Sequence, residues 1–555
     1  MLLTLTISHS WIQFWKRGKW LGLFSLCCIL ILSCNSWMPD DSSSRNLAGN
    51  SAVNSSRITI GTTLKLRTLD PADAYEVFSG NLLYNLGDAL YDYQLGTADI
   101  IPKLATALPT ISQDGLTYKI PLRQGVLFHD GAPFNAEAMA FSLQRFMKNA
   151  GSPSSLLVDA VQQIQATGEY ELTIQLQKPF AAFTSLLAFP GLCAVSPQTY
   201  EIGEGKFQTR TFVGTGPYKL AAYETDRIRL DAFENYWGKK PANSGLDIQR
   251  LSSSANLYIA FKSGAIDVAY FSLDPDQTNS LLQGVSEQKW QVISAEGNTV
   301  SYMVLNVNSA PLDRLEVRQA LAALVDRPLL NQRVLLGQGE PAYSLIPASL
   351  KSYQPVFQQV YGDGNIEQAK TLLKQAGYSS ENPAIIELWY ASGSSKRGIL
   401  ASTLKALAER DLAGLMQLEL NSIEATTAYK NLEIGVYPTF MLDWYADFLD
   451  PDNYISPFLD CGKGSAQTGC QQGASQYQGS FYYNSEVNQL IDQQRQEQNP
   501  QKRLALLAQI QDHLAADVPY IPLWQDNTYL FAQNNLNGVH LQLTQQVPFW
   551  TIRKS

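Results

Sequence analysis

The chain has 555 residues, 45% of them apolar and 11% aromatic, with 41 Lys and Arg against 50 Asp and Glu. At about 150 residues per domain this length allows three or four domains with sizeable cores, which excludes a disordered or fibrous chain. The net charge of −9 disfavours nucleic acid and anionic lipid as partners, and a total of only four histidines disfavours direct metal ligation.

Lys16, Arg17 and Lys19 precede an apolar run over residues 20–32. That run is too short to span a bilayer comfortably and has the length of a secretory signal core. Residues 1–33 are therefore read as a leader, and export follows. Ile31, Leu32, Ser33 and Cys34 resemble a lipoprotein processing box, in which a small residue precedes a cysteine that is acylated and becomes the new N-terminus. Cys34 is the expected lipidation site, and the expected location is extracytoplasmic (periplasmic), lipid-anchored to a membrane. Residues 34–56, rich in Ser and Asn, read as a flexible tether.

Further along, Tyr118, Ile120 and Leu122 alternate with Lys119, Pro121 and Arg123, the period of two of a half-buried strand. His129, Asp130, Gly131 and Pro133 break it. Asn135 can then cap a helix with Glu137 in its first turn and Met139, Leu143, Phe146 and Met147 on one face. Nothing in this stretch is chemically reactive, so its role is read as scaffold. Leu172, Ile174 and Leu176 alternate as another strand. A turn at Ser263 and Gly264 leads to Asp267, expected to cap or bond local backbone. Asn365, Gln368 and Gly377 bound a helix with Ile366, Ala369, Leu373 and Ala376 on one face. Strands alternating with helices indicate an α/β protein.

Residues 112–145, SQDGLTYKIPLRQGVLFHDGAPFNAEAMAFSLQR, resemble the signature of the large cluster C (family 5) solute-binding proteins of bacterial ABC importers, whose members mostly capture peptides. VGTGPYKL at 213–220, ENYWG at 234–238, IAFKSGAIDVAYF at 259–271, VRQALAALVDR at 317–327 and DWYADFLDPDNYISPF at 443–458 match the family in order. The resemblance implies a two-lobed α/β periplasmic-binding-protein fold, type II-like, with an extra subdomain inserted in lobe I. Lobe I would comprise 57–298, with the insert at about 72–215; lobe II would comprise 299–518, and 519–555 would return to lobe I. Two chain crossings would make a hinge. The glycines of VGTGPYKL are expected to serve a tight turn through their backbone freedom, and ENYWG to serve aromatic packing. The implied partners are a peptide ligand, an ABC permease with its ATPase subunits, and the membrane through the lipid anchor. No cofactor, nucleic acid or catalysis is implied.

Asp443, Asp447, Asp450 and Asp452 are crowded among Trp444, Tyr445, Phe448 and Tyr454, so their carboxylates need caps, turns or cations. In peptide binders of the resembled family, the aspartate at the Asp447 position pairs with the ligand's α-ammonium group. Asp447 is thus the candidate anchor, with Trp444 and Tyr445 as apolar walls. In dipeptide binders an upstream arginine holds the ligand carboxylate; SSKRGIL places Lys396 and Arg397 near that position, without the proline-rich context, and Arg397 is the candidate contact. Cys461 and Cys470 bracket GKGSAQTG, where members of the family often carry a small disulfide loop. They are expected to be bridged, leaving Cys193 as a buried thiol.

A secreted hydrolase is disfavoured, because His129, His513 and His540 lie far apart and no HExxH, GxSxG or paired CxxC pattern occurs. Within the binding class the same scaffold also accommodates a nickel complex, haem, an opine or an oligosaccharide, and a third reading is a lipoprotein that senses or chaperones.

Overall fold

The structure, a computed structural model, describes residues 56–295 and 297–555. The expected leader, Cys34 and the tether up to residue 55 lie outside the described residues. Among those described, the largest sheet has seven strands in the order Trp290–Ala295, Thr528–Gln533, Val268–Tyr270, Arg57–Thr62, Gly245–Arg250, Arg227–Ala232 and Tyr218–Tyr223. Arg57–Thr62 is central and runs parallel to both neighbours. It is almost wholly buried, with Ile58 and Ile60 in the core, as a strand covered on both faces must be.

A second, four-stranded antiparallel sheet (Thr110–Ile111, Thr117–Pro121, Glu171–Leu176, Val161–Gly168) is inserted between Arg57–Thr62 and Tyr218–Tyr223. The helix Ala136–Lys148 packs Met139, Leu143 and Phe146 into the same core as Tyr118, Ile120, Leu172 and Ile174. Asn135 caps this helix by accepting from the Ala138 N–H at 2.9 Å. A third sheet places Val300–Leu305 between Thr439–Trp444 and Tyr520–Asp526, with Gly339–Pro341 outside the latter. Its core also takes in the parallel pair Ala384–Ala391 and Met416–Ile423.

The chain passes from the seven-stranded to the third sheet between Ala295 and Val300, and back at Asn527. The return was expected near 519. It comes later because Tyr520, Ile521, Leu523 and Trp524 bury themselves in the core of the third sheet and hold the strand Tyr520–Asp526 there.

The sequence motifs turn out to bond to one another. Buried His129 donates from Nε2 to the Gly216 carbonyl at 3.0 Å and accepts at Nδ1 from the Gly214 N–H at 3.3 Å. Burial pushes its pKa down to about 4, so the ring is neutral. Gly214 and Gly216 are needed for close approach and not for the turn freedom expected of them: neither has a positive φ, and a Cβ on Gly216 would sit 2.4 Å from the Leu86 carbonyl carbon. In ENYWG the aromatic rings do more than pack, since Tyr236 and Trp237 donate to the buried Asp88 carboxylate at 3.2 and 2.9 Å. Asp267 does bond backbone, but that of Thr59 in a distant strand, at 2.7 Å, and it pairs with Lys554 at 2.9 Å. Arg145, the last residue of the 112–145 signature, is 1% exposed and forks onto Asp70 at 2.7 and 2.6 Å. It also donates to the carbonyls of Glu201 and Lys206.

Cys461 and Cys470 are joined by a disulfide that closes the hairpin of Lys463–Ser465 and Gly469–Gln472, while Cys193 is free and buried. By the chain-entropy argument, Cys461→Ala with Cys470→Ala should lower the unfolding free energy by about 2 to 3 kcal/mol. Urea denaturation of the oxidised protein and the variant measures this, and coincident midpoints would refute it.

Candidate functional site

The aspartate-rich segment begins on the edge strand Thr439–Trp444, whose register sets Asp443 opposite Ser301 and Trp444 opposite Val300. Beyond Trp444 the chain leaves the sheet and crosses to the inserted subdomain, where Phe448 and Leu449 enter that core and the Leu449 N–H donates to the Tyr93 hydroxyl at 2.9 Å. Asp450 then caps the short helical turn Pro451–Tyr454 by accepting from the Asp452 N–H at 2.8 Å.

Three of the four aspartates are held by arginines. Asp443 accepts from Arg397 at 2.8 Å and from the Ser301 hydroxyl at 2.5 Å. Asp450 takes a fork from Arg503 at 2.8 and 2.5 Å. Asp452 accepts from Arg495 at 2.9, 3.1 and 3.0 Å. Burial opposes ionisation of Asp443, but Lys396 and Arg397 outweigh it and hold the carboxyl below its ordinary value.

Asp447 is different. Among the described residues no cation pairs with it. Its Oδ2 accepts from the Tyr75 hydroxyl at 3.1 Å and the Asn453 amide at 3.3 Å, and its N–H donates to Asn453 Oδ1 at 2.9 Å. Neither neutral donor compensates the loss of water, so burial pushes the carboxyl from 3.8 up to about 6.

Asp447 lines two of three adjoining cavities. A neck of ≈ 90 Å³ runs between residues 75–77 on one wall and 445–447 on the other. The first wall leads into the helix Val77–Leu86, packed on the core of the seven-stranded sheet; the second continues from the third sheet. A cavity of ≈ 760 Å³ opens on one side of the neck, sharing Glu76, Val77, Tyr445 and Gln545 with it. A cavity of ≈ 720 Å³ opens on the other, sharing Tyr75 and Asp447. The hydrogen bond from Tyr75 to Asp447 thus joins parts of the chain built on different sheets.

Of the residues singled out from the sequence, Asp447 and Tyr445 line the neck, with Tyr445 49% exposed. Trp444 lines the second cavity, edge-on to Phe458 at 5.1 Å. Arg397 is committed to Asp443 and does not line the first cavity; its neighbour Lys396 does, paired with Asp526 at 3.0 and 2.9 Å. Sequence reasoning missed Tyr75, Asn453 and Asp526. Asn453 was within reach, since an Asn just after Asp-Pro-Asp commonly bonds nearby backbone. Tyr75, 372 residues from Asp447, left no local signal.

Residues 99–466 match the family model described as bacterial extracellular solute-binding proteins, family 5 Middle. The dipeptide-binding protein of Escherichia coli (strain K12) is 28% identical over 404 residues, which cover 68% of this chain and 73% of that protein. Heme-binding protein A of Haemophilus influenzae is 28% identical over 474 residues, covering 80% and 82%. The structure of the ABC transporter-associated periplasmic binding protein DppA from Helicobacter pylori, in complex with peptide STSA, superposes with a TM-score of 0.74 at 23% identity over 90% of this chain and 98% of that one. At that identity the likeness establishes a common fold.

Proposed function

Because the chain belongs to the bacterial extracellular solute-binding proteins of family 5, the non-enzymatic binding components of ABC importers, we propose that it captures a peptide by its α-ammonium group at Asp447 and delivers it to a membrane permease. The observation that carries this reading is the missing cation. Three neighbouring aspartates have arginines, whereas among the described residues Asp447 has only neutral donors, and its pKa is raised. A ligand ammonium would supply the charge-assisted hydrogen bond that the site lacks, and in a narrow cleft such a bond is stronger and more directional than in water.

In this reading residues 57–298 with the C-terminal return form lobe I, with the insert at about 72–215, and the third sheet and its helices form lobe II. Ligand contacts to both walls favour the closed arrangement. Tyr445 and Trp444 serve as apolar walls, and Arg397 holds Asp443 in place of a ligand carboxylate. Acylation at Cys34 would keep the protein beside its permease.

Native mass spectrometry of the purified protein tests the ligand class. A retained peptide with a free amino terminus supports the proposal; a retained haem, metal chelate or sugar overturns it. A pH series tests the anchor. Binding needs Asp447 ionised and the ligand's α-amino group, with an ordinary pKa near 8, protonated. Affinity should therefore be highest near pH 7, fall toward tenfold per unit below about 6, and fall again above about 8. Calorimetry showing constant affinity from pH 7 to 4.5 would contradict it.

A further inference from the structure

The strands Arg57–Thr62 and Val268–Tyr270 lie side by side and parallel, so the loops that follow them leave the sheet at the same edge. In open α/β sheets that edge is where ligands settle. Both loops line the ≈ 760 Å³ cavity, the first through Lys65 and the second through Phe271, Ser272 and Asp274. Phe271 and Ser272 have φ of 51° and 68°, consecutive left-handed residues that both carry side chains. Strain of this kind concentrates at sites that bind. The Ser272 hydroxyl is buried and has no partner among the described residues.

Of the other charged groups that line this cavity, three are held in ion pairs. Lys396 pairs with Asp526, and Glu76 with Arg67. Asp274 accepts from the Ser254 hydroxyl at 2.7 Å and caps the helix Pro275–Ser286. Lys65 is exposed to the cavity, and among the described residues no carboxylate lies within ion-pair distance of it.

We propose that Lys65 receives the ligand's terminal carboxylate, so that the ligand is a peptide threaded through the neck with its amine on Asp447 and its carboxylate in the ≈ 760 Å³ cavity. This rests on the peptide reading above. The two ends of the path carry opposite uncompensated charges, which fixes the orientation of the chain. An ammonium on a flexible stem imposes little geometry on its partner, so one anchor serves peptides of several lengths, unlike a rigid guanidinium clamp.

The test uses an equimolar random tetrapeptide mixture with free or amidated carboxyl termini, offered to the wild-type protein, Lys65→Gln and Lys65→Arg, with occupancy read by native mass spectrometry. Amidation should weaken binding to wild type by about fivefold or more. Lys65→Gln should lose the same factor for the free-carboxyl mixture and bind both mixtures alike, while Lys65→Arg keeps the preference. Lys65 is exposed, so thermal unfolding of the variants should match wild type. An amidation penalty that is equal in wild type and Lys65→Gln, or absent from both, overturns the assignment. Acetylating the amino termini separates the two readings. If acetylated peptides bind wild type as well as free ones, the Asp447 anchor fails while the Lys65 comparison still stands; if no mixture binds wild type, both fall.

Discussion

Asp447→Ala should weaken peptide binding by about 2 to 5 kcal/mol, roughly thirtyfold to several thousandfold, because it strands a desolvated ammonium. N-acetylating the peptide should cost wild type a similar amount and the variant little more, since both changes break one contact. Calorimetry on the four combinations checks this; an equal acetylation penalty in both proteins assigns the amine elsewhere. Asp447→Asn carries an opposite sign for the empty protein. A carboxyl whose folded pKa is raised from 3.8 to about 6 gives stability that is fully present below 3.8 and lost as pH rises through 6. At neutral pH the uncharged amide should therefore stabilise the ligand-free fold. With solvent in the adjoining cavities screening part of the effect, the gain should be about 1 to 2 kcal/mol, read as a rise in the thermal midpoint.

The other large effect belongs to the scaffold. Asp70→Ala should cost about 3 to 5 kcal/mol, because it leaves the Arg145 guanidinium charged, fully buried and without its carboxylate. Replacing both, Asp70→Leu with Arg145→Met, should recover much of that loss, since the stranded charge rather than the missing attraction is what destabilises. Denaturant unfolding decides it; a single variant within about 1 kcal/mol of wild type would mean that water reaches the site.

This pair also marks where the sequence stops being readable. The strand, turn and capped helix of residues 117–148 follow from local rules, because Asn135 meets its own helix and Tyr118 and Ile120 need only a period of two. Arg145, read the same way, is one more polar residue at a helix end. Its role depends on Asp70, 75 residues earlier. The bond of His129 to the 214–216 loop and that of Asp267 to Thr59 were hidden for the same reason, since each joins strands or turns that meet only in the finished sheet. At the site, crowding showed that the four aspartates needed partners, but not which would lack a cation. Asp447 was singled out by family resemblance, and the structure adds a physical distinction, the absence of an arginine where its three neighbours have one.

Those three arginines have an evolutionary consequence. Arg397, Arg503 and Arg495 fasten the segment on both sides of Asp447 through contacts that involve no ligand. The position of Asp447 is therefore set by the protein's own contacts. If Asp447 is the anchor proposed above, substitutions in the cavity walls can change which side chains are accepted while its carboxylate stays in register, so selectivity can diverge among descendants of such a protein without rebuilding that anchor.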